Sequence, residues 1–130
     1  MSFKSLTPVL FAERIEPCVE LWEKRLGFMR VADVAEEDHL GFAMLSRDGI
    51  VVMYQTWSSA AQDIAPLADE VRAGRQFLFV EVADLSAIEE QLRGIDYLIP
   101  KRRTFYGMTE VIIRDPAGHV LLFAQREPAA

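Results

Sequence analysis

The sequence predicts an α+β fold. It reads as two βαβββ modules whose curved sheets pair around a cleft, with the helices on the outer faces. Three observations lead there. "RDGIVVMYQ" from Arg47 and "RDPAGHVLLFAQ" from Arg114 each carry Arg-Asp, a glycine turn, an apolar run and a glutamine. The offset is 67 residues at Asp48 and Asp115 and 70 at Gln55 and Gln125, so one supersecondary unit occurs twice. Each copy is also preceded by a strand pattern and then a helix pattern.

The elements follow in order. "LTPVLFA" is apolar and free of breakers, as a strand requires. A helix starts near Glu16-Pro17, because proline suits the first helical turn, where its missing N–H costs nothing. Cys18, Leu21, Trp22 and Leu26 fall at helical spacing, and Gly27 provides the stop. Cys18 and Trp22 are expected in the core. "FMRVADV", "GFAMLS" and "IVVMYQTW" then read as strands, with Asp48-Gly49 as a hairpin turn. "SSAAQDIAPLADEVRAG" is polar and rich in small residues and reads as a linker, with a short helix around Pro66–Arg72. The second copy opens on "RQFLFVEV". Its helix has Ser86 and Glu89 as a capping box, Ile88 and Leu92 as an apolar stripe and Gly94 as the end. "DYLIPKRR", "TEVIIRD" and "VLLFAQR" complete it. The expected organisation is a single domain, 1–130, with module one at 1–57, a linker at 58–74 and module two at 75–130.

Composition narrows the function classes. A chain of 130 residues, 51% hydrophobic and 26% charged, suits one soluble domain with a real core. The net charge of −6 argues against nucleic acid, which needs a basic footprint. Lys101-Arg102-Arg103 is the only dense basic run and reads as a solvated loop face, as does the acidic Glu36-Glu37-Asp38. No apolar run is long enough to span a membrane, and the first residues lack a signal-peptide pattern. The lone cysteine fits a reducing compartment, so a cytoplasmic protein is expected.

"PVLFAERIEPCVELWEKRLGF" (Pro8–Phe28), "FLFVEVADL" (Phe77–Leu85) and "YGMTEVIIRDPAGHVLLFAQ" (Tyr106–Gln125) resemble the glyoxalase / bleomycin-resistance / extradiol-dioxygenase superfamily, the vicinal oxygen chelate proteins. The resemblance covers nearly the whole chain and implies the fold of that family. It also implies where a metal would sit, on the first and last strand of each module. By the motifs those slots are Thr7, Met53, Phe77 and Leu122, and a one-residue shift reaches only Gln76. His or Gln and Glu hold the ion in the family's metal enzymes, and none of these four is a ligand of that kind. His39 reads as a solvated residue beside an acidic loop, and His119 as a surface turn residue. No metal and no other cofactor are expected, which places the chain closest in character to the metal-free bleomycin-resistance branch.

Strand side chains alternate, so the slots report the inward set. It comprises Val9 and Phe11; Val51, Met53 and Gln55; Phe77, Phe79 and Glu81; and Val120, Leu122 and Ala124. Hairpin pairing adds Phe42 and Met44, then Glu110 and Ile112. The expected ligand contacts are Phe42, Met44, Met53, Gln55, Phe77, Phe79 and Leu122, with Glu81 and Glu110 as the acidic points. Trp57, Phe105 and Tyr106 fall at strand ends, where they stack on a ligand or pack a subunit interface.

Two functions are weighed. One is a metal-independent binding protein that sequesters an aromatic or cationic small molecule such as an antibiotic. The other is a metal-independent lyase or isomerase with Glu110 or Glu81 as general base. The expected partners are a small-molecule ligand and a second copy of the chain in a homodimer, with neither nucleic acid nor a membrane.

Overall fold

The structure is a computed structural model and describes residues 1–128. The chain divides into two compact units, Met1–Gly74 and the segment from Arg75 onward. Each contains one four-stranded sheet.

The first unit runs β1 (Val9–Ala12), α1 (Glu16–Glu20), β2 (Met29–Glu36), β3 (His39–Arg47) and β4 (Ile50–Thr56), in the sheet order β1-β4-β3-β2. β1 lies parallel to β4, and the other pairs are antiparallel. Pro17 occupies the first turn of α1. The helix then continues as a π-helical turn, Leu21–Arg25, in which the Leu26 amide donates to the Leu21 carbonyl five residues back. Cys18, Leu21, Trp22 and Leu26 are all buried, as their spacing requires. On β4 the inner side chains are Val52, Tyr54 and Thr56; they stand level with Leu10 and Ala12 on β1 and with Ala43 and Leu45 on β3. The indole Nε1 of Trp22 donates to the Tyr54 hydroxyl at 2.9 Å, which fixes the helix over this face. At the helix end Arg47 donates to the Leu26 carbonyl at 2.6 Å. A side chain on Gly27 would strike that guanidinium, and φ there is +72°. The hairpin turn takes φ of 53° at Asp48 and 78° at Gly49, the paired positive values a tight hairpin needs.

The stretch read as a linker is folded and belongs to the first unit. It forms α2 (Trp57–Asp63), a 3₁₀ turn (Ala65–Leu67) and α3 (Ala68–Ala73). Thr56, the last residue of β4, is the N-cap of α2 and accepts from the Ser59 amide at 3.1 Å. Ala60 and Val71 are buried. Their small apolar faces were hidden among polar neighbours, so composition alone suggested a linker.

The second unit runs β5 (Phe77–Glu81), α4 (Leu85–Gln91), β6 (Arg102–Arg103), β7 (Met108–Arg114) and β8 (Val120–Arg126), in the order β5-β8-β7-β6. Its topology repeats that of the first unit. Three local expectations are corrected. The N-cap of α4 is Asp84, which accepts from the Ala87 amide, rather than Ser86. Glu89 instead accepts from Tyr97 and Lys101. The strand expected over "DYLIPKRR" shrinks to Arg102–Arg103. Pro100 has no N–H for a ladder, and Leu98 and Ile99 stay exposed. His119 is buried rather than at the surface, with only 2% of its surface exposed. Its Nδ1 accepts from the Gln76 amide at 2.9 Å, tying the last turn to the start of β5. In that turn the Asp115 carboxylate accepts from the Ala117 and His119 amides, and Gly118 takes φ of +93°.

Candidate functional site: one open face on each sheet

In the second unit β8 uses its two faces differently. Leu121, Phe123 and Gln125 share one face, and the Gln125 Oε1 accepts from the Leu85 amide at the start of α4. That is the helix side. Val120, Leu122 and Ala124 take the other. Across this open face the register sets Phe79 level with Leu122 and Ile112, and Glu81 level with Ala124, Glu110 and Arg102. Phe77 and Phe79 are 73% and 51% exposed, large values for phenylalanine. Tyr106, from the turn between β6 and β7, approaches Phe79 with ring centroids 6.4 Å apart. Phe105 meets Tyr106 edge-on at 4.9 Å and is itself almost wholly exposed. Gly107, with φ of +80°, lets the turn close behind this aromatic pair.

The row Glu81–Ala124–Glu110–Arg102 holds the electrostatics of the face. Glu110 is fully buried. Its Oε1 accepts from Arg102 Nε at 2.7 Å and lies 2.7 Å from Nη2, and its Oε2 accepts from the Tyr106 hydroxyl. A buried carboxylate without such a partner would be very costly, so Arg102 and Glu110 form a structural pair. Glu81 is exposed and, among the described residues, has no ion pair. The two acidic points named from sequence therefore differ: one is neutralised from within, the other open to a ligand.

Arg102 is the residue the sequence reading missed. The run Lys101-Arg102-Arg103 is exposed as expected, yet each cation has its own carboxylate: Glu89, Glu110 and Glu127 respectively. Arg103 grips Glu127 through two nitrogens and Thr109 adds a third hydrogen bond. Together they hold the Glu127 carboxyl down at about 2. The signal was the β6–β7 register, which places Arg102 opposite Glu110; spacing along the chain does not reveal it.

The first sheet has its own open face. Val9, Met53, Met44 and Ala32 form one row across it, and Phe11, Gln55, Phe42 and Val34 the next. Most are half-buried rather than sealed. The Gln55 amide donates to the Ser59 hydroxyl at 3.1 Å, so its free reach is reduced.

At the end of this sheet Glu37 and Asp38 of the acidic loop are exposed as expected, and Glu36 is partly buried. Glu36 accepts from the Thr56 and Ser58 hydroxyls at 2.7 and 2.8 Å. His39 sits 3.1 Å from Glu36 and 3.2 Å from Asp38. The Asp38 hydrogen bond, helped by Glu36, raises the His39 pKa above its ordinary value against partial desolvation. The hydroxyl bonds from Thr56 and Ser58 lower that of Glu36.

The profile of the Glyoxalase/Bleomycin resistance protein/Dioxygenase superfamily matches residues 5–123. The chain belongs to this superfamily. No curated protein is detectably similar in sequence. Solved structures with the same fold include lactoylglutathione lyase from Agrobacterium tumefaciens, with a TM-score of 0.76 at 14% identity, covering 95% of each chain. TioX from Micromonospora sp. ML1 has a TM-score of 0.72 at 16% identity, covering 95% of this chain and 99% of its own. The bleomycin resistance determinant encoded on transposon Tn5 has a TM-score of 0.69 at 21% identity, covering 97% of this chain and all of its own. At these identities the likeness carries the fold, which is the α+β arrangement of the superfamily. It does not carry the chemistry.

The superfamily's metal enzymes hold a divalent ion, and this chain's residues do not fit one. Val9 stands level with Met53 across β1 and β4, and Phe79 level with Leu122 across β5 and β8. The expected slots Thr7, Met53, Phe77 and Leu122 and these level neighbours alike offer hydroxyl, thioether or hydrocarbon groups, not the imidazole or carboxylate such an ion takes. Among the described residues no three His, Cys, Asp or Glu side chains cluster as a metal site. Among the described residues no helix is long and apolar enough to cross a membrane.

Proposed function

We propose that this member of the superfamily is a metal-independent small-molecule-binding protein that sequesters a partly aromatic, neutral or cationic compound, such as an antibiotic. One observation carries the reading. On the open face of the second sheet, exposed Phe77 and Phe79 and the ring of Tyr106 share the face with a row in which, among the described residues, Glu81 is the one charge without an ion pair. Aromatic rings supply stacking area, and an ammonium group suits the free carboxylate.

Glu110 is not the ligand's acceptor in this reading, because Arg102 already satisfies it. Loss of Glu81 should therefore weaken binding about tenfold or more, the worth of one charge-assisted hydrogen bond. The experiment is a thermal-shift screen of cationic and neutral aromatics, followed by calorimetry on Glu81→Gln and Phe79→Ala. Unchanged affinity in both variants would remove the second sheet from the site. Glu81, exposed and unpaired, also supports a lyase or isomerase reading with this residue as general base. Turnover abolished in Glu81→Gln with binding retained would establish that reading instead.

A further inference from the structure

The first unit carries a concavity beside α2 and α3. It measures about 390 Å³, within the usual range for small-molecule sites. Its walls come from the loop after β1 (Glu13, Arg14), the start of β3 (His39), α2 (Trp57, Ser58, Ala61) and α3 (Ala68, Asp69, Arg72). Ala61, Ala68 and Ser58 are small, and their size opens the groove between the two helices.

Two features give it a chemical preference. The Arg72 guanidinium lies over the Trp57 ring, 5.0 Å from the centroid. A cation–π contact of this kind leaves guanidinium N–H groups to meet a carboxylate. Arg14 stands in the same wall, and among the described residues neither arginine is ion-paired. His39 is held by Asp38 and Glu36, which lie outside the lining. Glu13 and Asp69, within it, weigh against a multiply charged anion.

We propose that this groove binds a small aromatic molecule bearing a single carboxylate, its ring beside Trp57 and its carboxylate on Arg72 and Arg14. Phenylacetate, phenylalanine and phenethylamine share one ring and differ in charge, so they serve as probes. The readout is the Trp57 indole N–H resonance, assigned with Trp57→Phe; the other tryptophan, Trp22, is buried and reports on the core. Phenylacetate and phenylalanine are expected to shift the Trp57 signal saturably while leaving Trp22 still, and phenethylamine is expected to leave both unmoved. Arg72→Gln and Arg14→Gln should each weaken phenylacetate binding about tenfold, with Arg72→Lys intermediate. Circular dichroism confirms that each variant is folded. The proposal fails if phenethylamine binds as well as phenylacetate, if both glutamine variants keep full affinity, or if neither carboxylate moves Trp57 at roughly 10 mM, the millimolar limit of weak binding.

Discussion

His39 is the residue whose surroundings most change its chemistry. It bridges Asp38 and Glu36, and Glu36 in turn holds Thr56 and Ser58 at the start of α2. Its folded pKa is raised, chiefly by the Asp38 hydrogen bond. The stability this contributes is therefore present below the ordinary histidine value of 6.5 and fades as pH rises through the higher folded value. Glu36 is shifted the other way, and its contribution fades as pH falls through its lowered value. Chemical denaturation of wild type and His39→Gln, run from pH 5 to 9 (roughly the range in which histidine titrates), tests this. The wild-type advantage should shrink towards the alkaline end. An advantage that grows with pH would mean the imidazole is held neutral.

Between β6 and β7, two strands exchange a buried acid for a half-exposed base. Arg102 has 49% of its side chain exposed, while Glu110 has none. Removing the arginine alone leaves a buried charge without a cation, held only by the Tyr106 hydroxyl. Arg102→Ala is therefore expected to cost about 2–3 kcal/mol, below the full penalty for a buried pair because water reaches the arginine side. The double variant Arg102→Ala with Glu110→Gln should recover much of that loss, since no charge is then stranded. Urea unfolding of the two single variants and the double one measures the coupling. Additive losses would show that the two side chains do not depend on each other.

At the scale of the whole molecule, a homodimer is the expected state. β2 is the edge strand of its sheet and exposes Met29, Val31 and Val34, and Phe105 projects from the second unit. Apolar edges of this kind invite a partner, and closed two-fold pairs are the commonest way to cover them. Sedimentation at micromolar concentration should give twice the chain mass of 14.7 kDa. Replacing Val31 and Val34 with lysine should shift the distribution towards monomer. A wild-type protein that sediments as a monomer would leave those side chains in water and defeat the expectation.

What the sequence determined by itself was local or periodic. The duplicated Arg-Asp-glycine-strand motif gave away the repeat. Pro17 and Gly27 framed the first helix, and strand alternation sorted Phe42, Met44, Phe79, Glu81, Glu110 and Leu122 onto open faces. Those signals are legible because backbone sterics and side-chain period act within a few residues. What only the tertiary structure decided depended on pairing between distant segments. The β6–β7 register turned Arg102 from a loop cation into the partner of Glu110. The β1–β4 and β5–β8 registers set Val9 level with Met53 and Phe79 level with Leu122. Packing within the first unit added α2 to the short helix expected in the apparent linker, and the Gln76 amide drew His119 inside. Burial and charge pairing are properties of the space around a side chain, and that space is filled by residues tens of positions away.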